Sequence, residues 1–255
     1  MRFRPLLRLC RVPNVFTAFA DAVAGIALAR GAFQVRDLSL VFASGSLYLA
    51  GMVWNDYFDR EVDARERPER PIPSGEVSPL MAAGLGVGLA ALGLGLALAH
   101  GLASFAIALA LVLAILAYDV WLKNGALGPA AMGVCRTLDV VLGLSAALPT
   151  HAWPYALPCL LGLFTLLITR LSRFEVFGAN PTTLRGTLFG FVLWFLLLVA
   201  ALIWVSVAAA GGGASWWAAP LVLYLIVRER RLLSPLRTQV TPPLLGRAIG
   251  GGIML

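Results

Sequence analysis

Apolar runs follow one another along this chain with only short polar breaks, and most approach or exceed the ~18 to 20 residues that a helix needs to cross a hydrocarbon core. They lie at about 12 to 29, 38 to 55, 77 to 99, 102 to 121, 127 to 148, 153 to 170, 187 to 210 and 214 to 227, with a weaker ninth at about 241 to 255. At 60% hydrophobic and 13% charged residues, the chain is too apolar for a soluble domain of 255 residues. The expected fold is therefore all-α, a polytopic membrane bundle of eight to nine transmembrane helices forming a single domain over residues 1 to 255. The first run is preceded by MRFRPLLRLCR and carries Asn14 and Asp21, so it is expected to remain as a span and not to be cleaved as a signal peptide.

The basic residues alternate with the spans. Arg2, Arg4, Arg8 and Arg11 precede the first; Arg60, Arg65, Arg67 and Arg70 follow the second; Lys123 follows the fourth. Arg170, Arg173 and Arg185 surround the break after the sixth, and Arg228, Arg230, Arg231 and Arg237 follow the eighth. The opposite loops hold only Arg30 and Arg36, so the positive-inside rule puts the N-terminus and the loop after Asn55 in the cytoplasm. This topology accounts for the net charge of +7 without a polyanion, and nucleic acid is not an expected partner. Cys10, Cys135 and Cys159 form neither a disulfide framework nor a metal motif and read as packing residues. The dominance of arginine over a single lysine suggests a GC-rich genome and a bacterial inner membrane.

Loops of about 3 to 8 residues tie neighbouring helices on the outer side. The longer segments 56 to 76, 171 to 186 and 228 to 240 are all cytoplasmic, where an extramembranous site would be assembled. CRVPNV from Cys10 is echoed by CRTLDV from Cys135, which suggests two duplicated four-helix halves.

Chemistry concentrates in NDYFDREVDARERPERPIPSGEVS, from Asn55 to Ser78. Asp56, Asp59 and Asp63 lie at i, i+3 and i+7, on one face if the second helix continues through them. Such carboxylates repel unless a cation joins them, and oxygen-only ligation selects a hard ion such as Mg2+, which keeps positions open for phosphate oxygens. Arg65, Arg67 and Arg70 supply the charge that pairs with phosphate. A solvated loop of cancelling charges fits the same pattern.

Asn55, Asp56, Asp59 and Asp63 match the NDxxDxxxD motif of the UbiA superfamily of intramembrane prenyltransferases, and Arg70 to Ser78 resembles the Arg-Pro-aliphatic-Pro-Ser-Gly sequel of that family. The resemblance implies a Mg2+-dependent transfer of an isoprenyl group from an isoprenyl diphosphate to an aromatic or other lipophilic acceptor. Magnesium would sit at Asn55, Asp56, Asp59 and Asp63. Arg11 and Asn14 are similar to the family's Arg-x-Pro-Asn start, which implies that Asn14 lines the substrate cavity. Tyr118 to Lys123 resembles its Tyr-x-x-x-Leu-Lys segment, which offers Lys123 as a diphosphate clamp. An ordinary positive-inside anchor is the other reading of Lys123.

A second aspartate-rich motif is usual after span six, but residues 169 to 185 read TRLSRFEVFGANPTTLR, with Glu175 as the one carboxylate. Arg173 would then grip diphosphate directly, Glu175 would be the remnant of the second acidic site, and Asn180 a weaker oxygen ligand or a turn residue. The SRxEVxG pattern is similar to EboC-like members of the superfamily. Asp119 stands where the family usually has no charge and is a candidate compensation.

Arg136 and Asp139 lie at i, i+3 within span five, where a charge costs ~2.5 to 3.5 kcal/mol on insertion scales. They read either as a buried ion pair joining helices or as an Arg136 clamp on diphosphate with Asp139 behind it. Asp21 lies on the face of Asn14 and would touch an acceptor or a neighbouring helix. His100 and His151 fall at outer loops, and Trp216 and Trp217 read as an interfacial belt. Two rivals remain: a non-catalytic isoprenoid or metabolite binder of the same fold, and a phosphoalcohol transferase, whose DGxxAR pattern this chain lacks.

Overall fold

Capping chemistry sets the helix boundaries that place the polar rim. Ser78 accepts a hydrogen bond from the Met81 amide with Pro79 in the first helical turn, so the third span starts there. Gly31, with φ 67°, closes the first span by returning its amide to the Ala27 carbonyl, a left-handed cap that glycine adopts without steric cost. A computed structural model describes residues 3–177 and 181–209. It contains α1 (Phe3–Leu9), α2 (Val15–Arg30), α3 (Leu38–Phe58), α4 (Arg60–Glu66), α5 (Pro79–His100), α6 (Leu102–Ala117), α7 (Gly128–Leu144), α8 (Ala156–Phe177) and α9 (Pro181–Ala209).

The described residues hold seven stretches long and apolar enough to cross a membrane: Val12–Arg30, Val35–Phe58, Pro79–His100, Leu102–Leu122, Gly128–Ala147, Trp153–Phe174 and Thr183–Ala201. The protein is an all-α membrane bundle. The spans expected at about 214 to 227 and 241 to 255, the 228 to 240 loop, Asn180, and Trp216 with Trp217 lie outside the described residues.

The chain divides into two compact units, residues 1–158 and 159–255. In the first, α3 is the central helix. Leu40, Ala43, Leu47 and Ala50 are all nearly or fully buried along it, against Ala22 and Ile26 of α2, Ala90 and Ala97 of α5, Leu111 of α6 and Leu142 of α7. The outward faces carry Phe16, Leu80 and Leu102 at 68%, 83% and 78% exposure, which is the surface expected of helices in contact with lipid. Small residues therefore do the inward packing.

α2 crosses α7 backbone against backbone. A Cβ on Gly25 would collide with the Val140 carbonyl, and one on Gly143 with the Ala22 carbonyl, so only glycine lets these backbones touch. Gly143→Leu is expected to force the helices apart and lower the folded yield in detergent severalfold, measured by monodisperse recovery on size exclusion. Exposed Gly84, with nothing near its Cβ position, is the control and should tolerate alanine.

Within the second unit, α8 and α9 pack through Leu167, Leu171, Leu184, Phe191 and Trp194. The Trp194 indole donates to the Leu160 carbonyl at 2.7 Å, and its ring lies 4.6 Å from that of Phe164.

Two expectations change. The long loop placed at 171 to 186 is mostly helix, because α8 runs to Phe177 and α9 begins at Pro181; Arg173 is thus a helical residue. The proposed internal echo also fails in register. CRVPNV occupies the turn before α2, whereas CRTLDV lies two turns inside α7, so the two hexamers do not open equivalent spans.

Candidate active site

Asp59 is the joint between α3 and α4. Its amide bonds the Asn55 carbonyl at 3.0 Å and its carbonyl accepts from the Asp63 amide at 2.8 Å, so helical register carries through the break. Asp56 and Asp63 consequently turn the same way and are each 4% exposed. Both end on one guanidinium: Arg70 donates to Asp63 at 2.6 Å and to Asp56 at 3.0 Å.

Arg70 is aimed by the compact turn that follows α4. The Ser74 amide bonds the Arg70 carbonyl, the Val77 amide bonds the Pro71 carbonyl, and Gly75 takes φ 75°. Ile72 and Val77 are buried against Leu9, Cys10 and Val53, which anchors the turn to α1 and α3. Burial pushes the Cys10 thiol up, in keeping with a packing role. Arg11, in the turn between α1 and α2, has the left-handed φ of 47° and donates to Asp56 at 2.8 Å.

The other flank comes from the end of α6. Residues Tyr118–Leu122 form a π-helical turn, closed by the Lys123 amide on the Tyr118 carbonyl at 2.9 Å. The wider turn places Asp119 at 4% exposure, where it accepts from Asn55 Nδ2 at 3.0 Å, and brings the Lys123 ammonium onto Asp59 as an ion pair. Asn55, the three aspartates of the motif, Arg70 and Lys123 thus meet at one end of the first unit. The three carboxylates do not converge on one point. Among the described residues there is no ready-made cluster of three or more metal-ligating side chains. Arg70 gathers Asp56 and Asp63, while Lys123 engages Asp59.

Arg136 is not at this rim. It lies eight residues into α7, roughly 12 Å along the helix from its start. Its Nε sits 2.8 Å from Asp21 Oδ2 of α2, in a close ion pair whose N–H is not aligned as a hydrogen bond. The partner expected within the same helix, Asp139, instead accepts from Ser44 of α3 at 2.7 Å. The Gly25 and Gly143 crossing explains this, since it presses α2 onto the face of α7 that carries Arg136 and Asp139. At the opposite end of the unit, Arg30 pairs with Asp37, and His100 lies 3.3 Å from Ser39.

Asn14 lines a cavity of about 560 Å³ with Leu7, Arg8, Arg11, Asp56 and Arg70. Arg173 is half-buried near the end of α8, and the side chain of Glu175 lies outside the described residues. Reading the residues alone missed Arg8 and the grip of Arg11 on Asp56. The Arg-x-Pro-Asn start was the available signal for Arg11; nothing in the sequence announces the π turn.

A multi-span helical bundle with an acidic, arginine-clamped rim at one end is the class of protein these features define. The pattern of the UbiA prenyltransferase family matches residues 18–241, and the chain belongs to that family. The digeranylgeranylglyceryl phosphate synthase of Methanothrix thermoacetophila is 39% identical over 79 residues, 30% of each chain. That of Methanothermobacter thermautotrophicus is 43% identical over 77 residues, 29% of this chain and 26% of the relative. These matches thus span about 30% or less of the length of the curated relatives. In fold, the chain is similar to a UbiA homologue from Archaeoglobus fulgidus bound to GPP and Mg2+, with a TM-score of 0.72, 15% identity and 98% of both chains covered. It is also similar to an apo UbiA homologue from Aeropyrum pernix K1, with a TM-score of 0.69, 21% identity and 95% and 97% covered.

Proposed function

We propose that the protein is a membrane-embedded prenyltransferase that moves an isoprenyl group from an isoprenyl diphosphate to an aromatic or other lipophilic acceptor and releases diphosphate. The observation that carries this reading is the buried array of Asp56, Asp63 and Arg70 beside Asp59 and Lys123, at the mouth of an apolar bundle. Soluble-loop chemistry does not explain it, because two of the carboxylates are 4% exposed.

The donor set fits Mg2+: Asn55, Asp56, Asp59 and Asp63 offer only oxygen ligands, as hard cations require. In the structure the aspartate oxygens rest on Arg11, Arg70 and Lys123, while the Asn55 amide nitrogen donates to Asp119. The cations that now neutralise the carboxylates are the groups that would turn to diphosphate oxygens when the ion is bound. Magnesium would supply charge neutralisation of the leaving diphosphate. Arg70 and Lys123 would bind that group, with Asn14 and Arg173 as further substrate contacts and Glu175 as the remaining acid of the second site. The apolar bundle around Leu47 and Leu111 excludes water that would quench an allylic cation.

Arg136 is proposed as a diphosphate contact only if its pair with Asp21 opens; in the pair, it joins α2 to α7. The positive-inside pattern supports a cytoplasmic rim, and the arginine-rich composition a bacterial inner membrane. The SRxEVxG segment supports a divergent, EboC-like branch. Its lack of aspartate favours a second reading, an isoprenoid binder without turnover. Mass spectrometry of lipid and aromatic extracts decides between them: cells expressing the protein should contain a prenylated product that Asp59→Asn cells lack. Identical extracts, with the lipid diphosphate bound but unconverted, would leave the binder.

A further inference from the structure

We infer that Asp119 is a positioning residue for the metal site: it pins the Asn55 carboxamide so that its oxygen, and not its nitrogen, is offered to Mg2+. This rests on the prenyltransferase reading and gives a task to an acid that lies outside the Asn55 to Ser78 motif. Asp119 is 4% exposed and accepts from Asn55 Nδ2 at 3.0 Å.

The two ends of a carboxamide are similar in size and opposite in chemistry. Its oxygen is a ligand for a hard cation, whereas its NH2 group only donates and cannot ligate one. The torsion that exchanges them is broad and roughly two-fold, so an asparagine with no directing neighbour presents either end. An ionised carboxylate accepts and never donates, so the bond from Asn55 Nδ2 to Asp119 forms in one orientation alone. The carboxamide oxygen is thereby turned away from Asp119.

Both partners of this bond are held by their backbones. Asn55 lies within α3, and the Asp59 amide bonds its carbonyl at 3.0 Å. Asp119 is placed by the π turn over Tyr118–Leu122, which the Lys123 amide closes on the Tyr118 carbonyl at 2.9 Å. That turn also brings Lys123 to Asp59, so it governs both Asn55 and Asp59, neighbours at i, i+4. Asp56 and Asp63 are governed from the other flank by Arg70.

Direct ligation is the alternative task for a buried acid here, and the geometry speaks against it. Among the described residues no three or more His, Cys, Asp or Glu side chains gather closely enough to hold an ion, so Asp119 does not complete such a group with Asp56 and Asp59. Asp21, Asp37, Asp56 and Asp63, also buried, pair with guanidiniums. Asp119 instead accepts from a neutral group of the motif itself. A partner that orients a metal ligand in this way is typically worth about 10 to 100-fold in metal affinity.

The test is titration calorimetry of Mg2+ into the full chain in non-ionic detergent with saturating pyrophosphate. Asp119→Leu should weaken Mg2+ binding by about 10 to 100-fold. Asp119→Asn can accept the same bond or donate to the Asn55 oxygen, so its affinity should fall between those of Asp119→Leu and wild type. In an Asn55→Ala background, Asp119→Leu should cost less than about a further twofold, because a residue that acts through Asn55 has nothing left to orient. The Mg2+ concentration for half-maximal diphosphate release should rise by the same factor as the dissociation constant. Wild-type Mg2+ affinity in Asp119→Leu overturns the proposal, and a lowered Mg2+-free melting temperature beside it would mark Asp119 as a structural tie between α3 and α6. A full additional loss in the Asn55→Ala background also overturns it, by making Asp119 a ligand or a charge that acts on its own. Equal losses in Asp119→Asn and Asp119→Leu overturn it in favour of charge alone. If Asp119→Leu fails to fold, Asp119→Asn alone and combined with Asn55→Ala decides the same point. Wild-type protein that binds no Mg2+ with pyrophosphate overturns the prenyltransferase reading and this inference together, whereas wild-type binding that is indifferent to Asp119 overturns the positioning role only.

Discussion

Asp56→Asn is expected to lower diphosphate release from farnesyl or geranylgeranyl diphosphate by on the order of 10² to 10³-fold, the usual cost of removing one positioned electrostatic group. Asp56 is the most connected acid of the rim, 4% exposed and held by Arg11 at 2.8 Å and Arg70 at 3.0 Å. Asparagine keeps the shape but removes the charge, so the two guanidiniums lose a shared counter-ion and an anionic hard-cation ligand is replaced by a weaker neutral one. The loss should fall on turnover measured at saturating lipid diphosphate. A variant that retained more than a third of wild-type turnover would remove Asp56 from the site.

Arg136→Met is the change with the largest expected effect on stability. Asp21 and Asp139 are 5% and 7% exposed inside the bundle, and truncating the partner of a buried ion pair typically costs about 3 to 5 kcal/mol because a charge is left uncompensated. Asp21→Asn added to Arg136→Met should recover most of that loss, since the orphaned charge goes with it. Thermal unfolding in detergent measures both. If the single variant melts with wild type, the pair is not a structural tie between α2 and α7, and Arg136 is available as a substrate clamp.

The spans were readable because a membrane helix announces itself by length and hydropathy, and Val12–Arg30 or Leu102–Leu122 needs no tertiary knowledge to recognise. The end of α8 is less legible: Arg170, Arg173 and Glu175 are charged and read as a loop, yet helices readily project beyond the hydrocarbon with charged last turns. Partner choice inside the bundle was not readable at all. Arg136 and Asp139 sit at helical spacing, and only the glycine crossing of α2 on α7 decides that Asp21 is closer. At the rim, the motif residues Asn55 to Asp63 were legible as a unit, because their spacing puts them on one helix. Their division into an Arg70 side and a Lys123 side was not, because it depends on a π turn that no residue type dictates. In the sequence Arg8 reads as a topology signal, and its position on the cavity follows from how α1 folds over the Arg70 turn.

The central claim is that this rim binds an isoprenyl diphosphate and breaks its allylic carbon–oxygen bond. The most direct measurement is diphosphate release by the purified full chain from farnesyl and geranylgeranyl diphosphate, with Mg2+ and with chelator, alongside Asp59→Asn. Release by the wild type that depends on Mg2+ and disappears in Asp59→Asn is the predicted result. No release from either substrate in the presence of a membrane lipid extract as acceptor, or release unchanged by chelator and by Asp59→Asn, would contradict it.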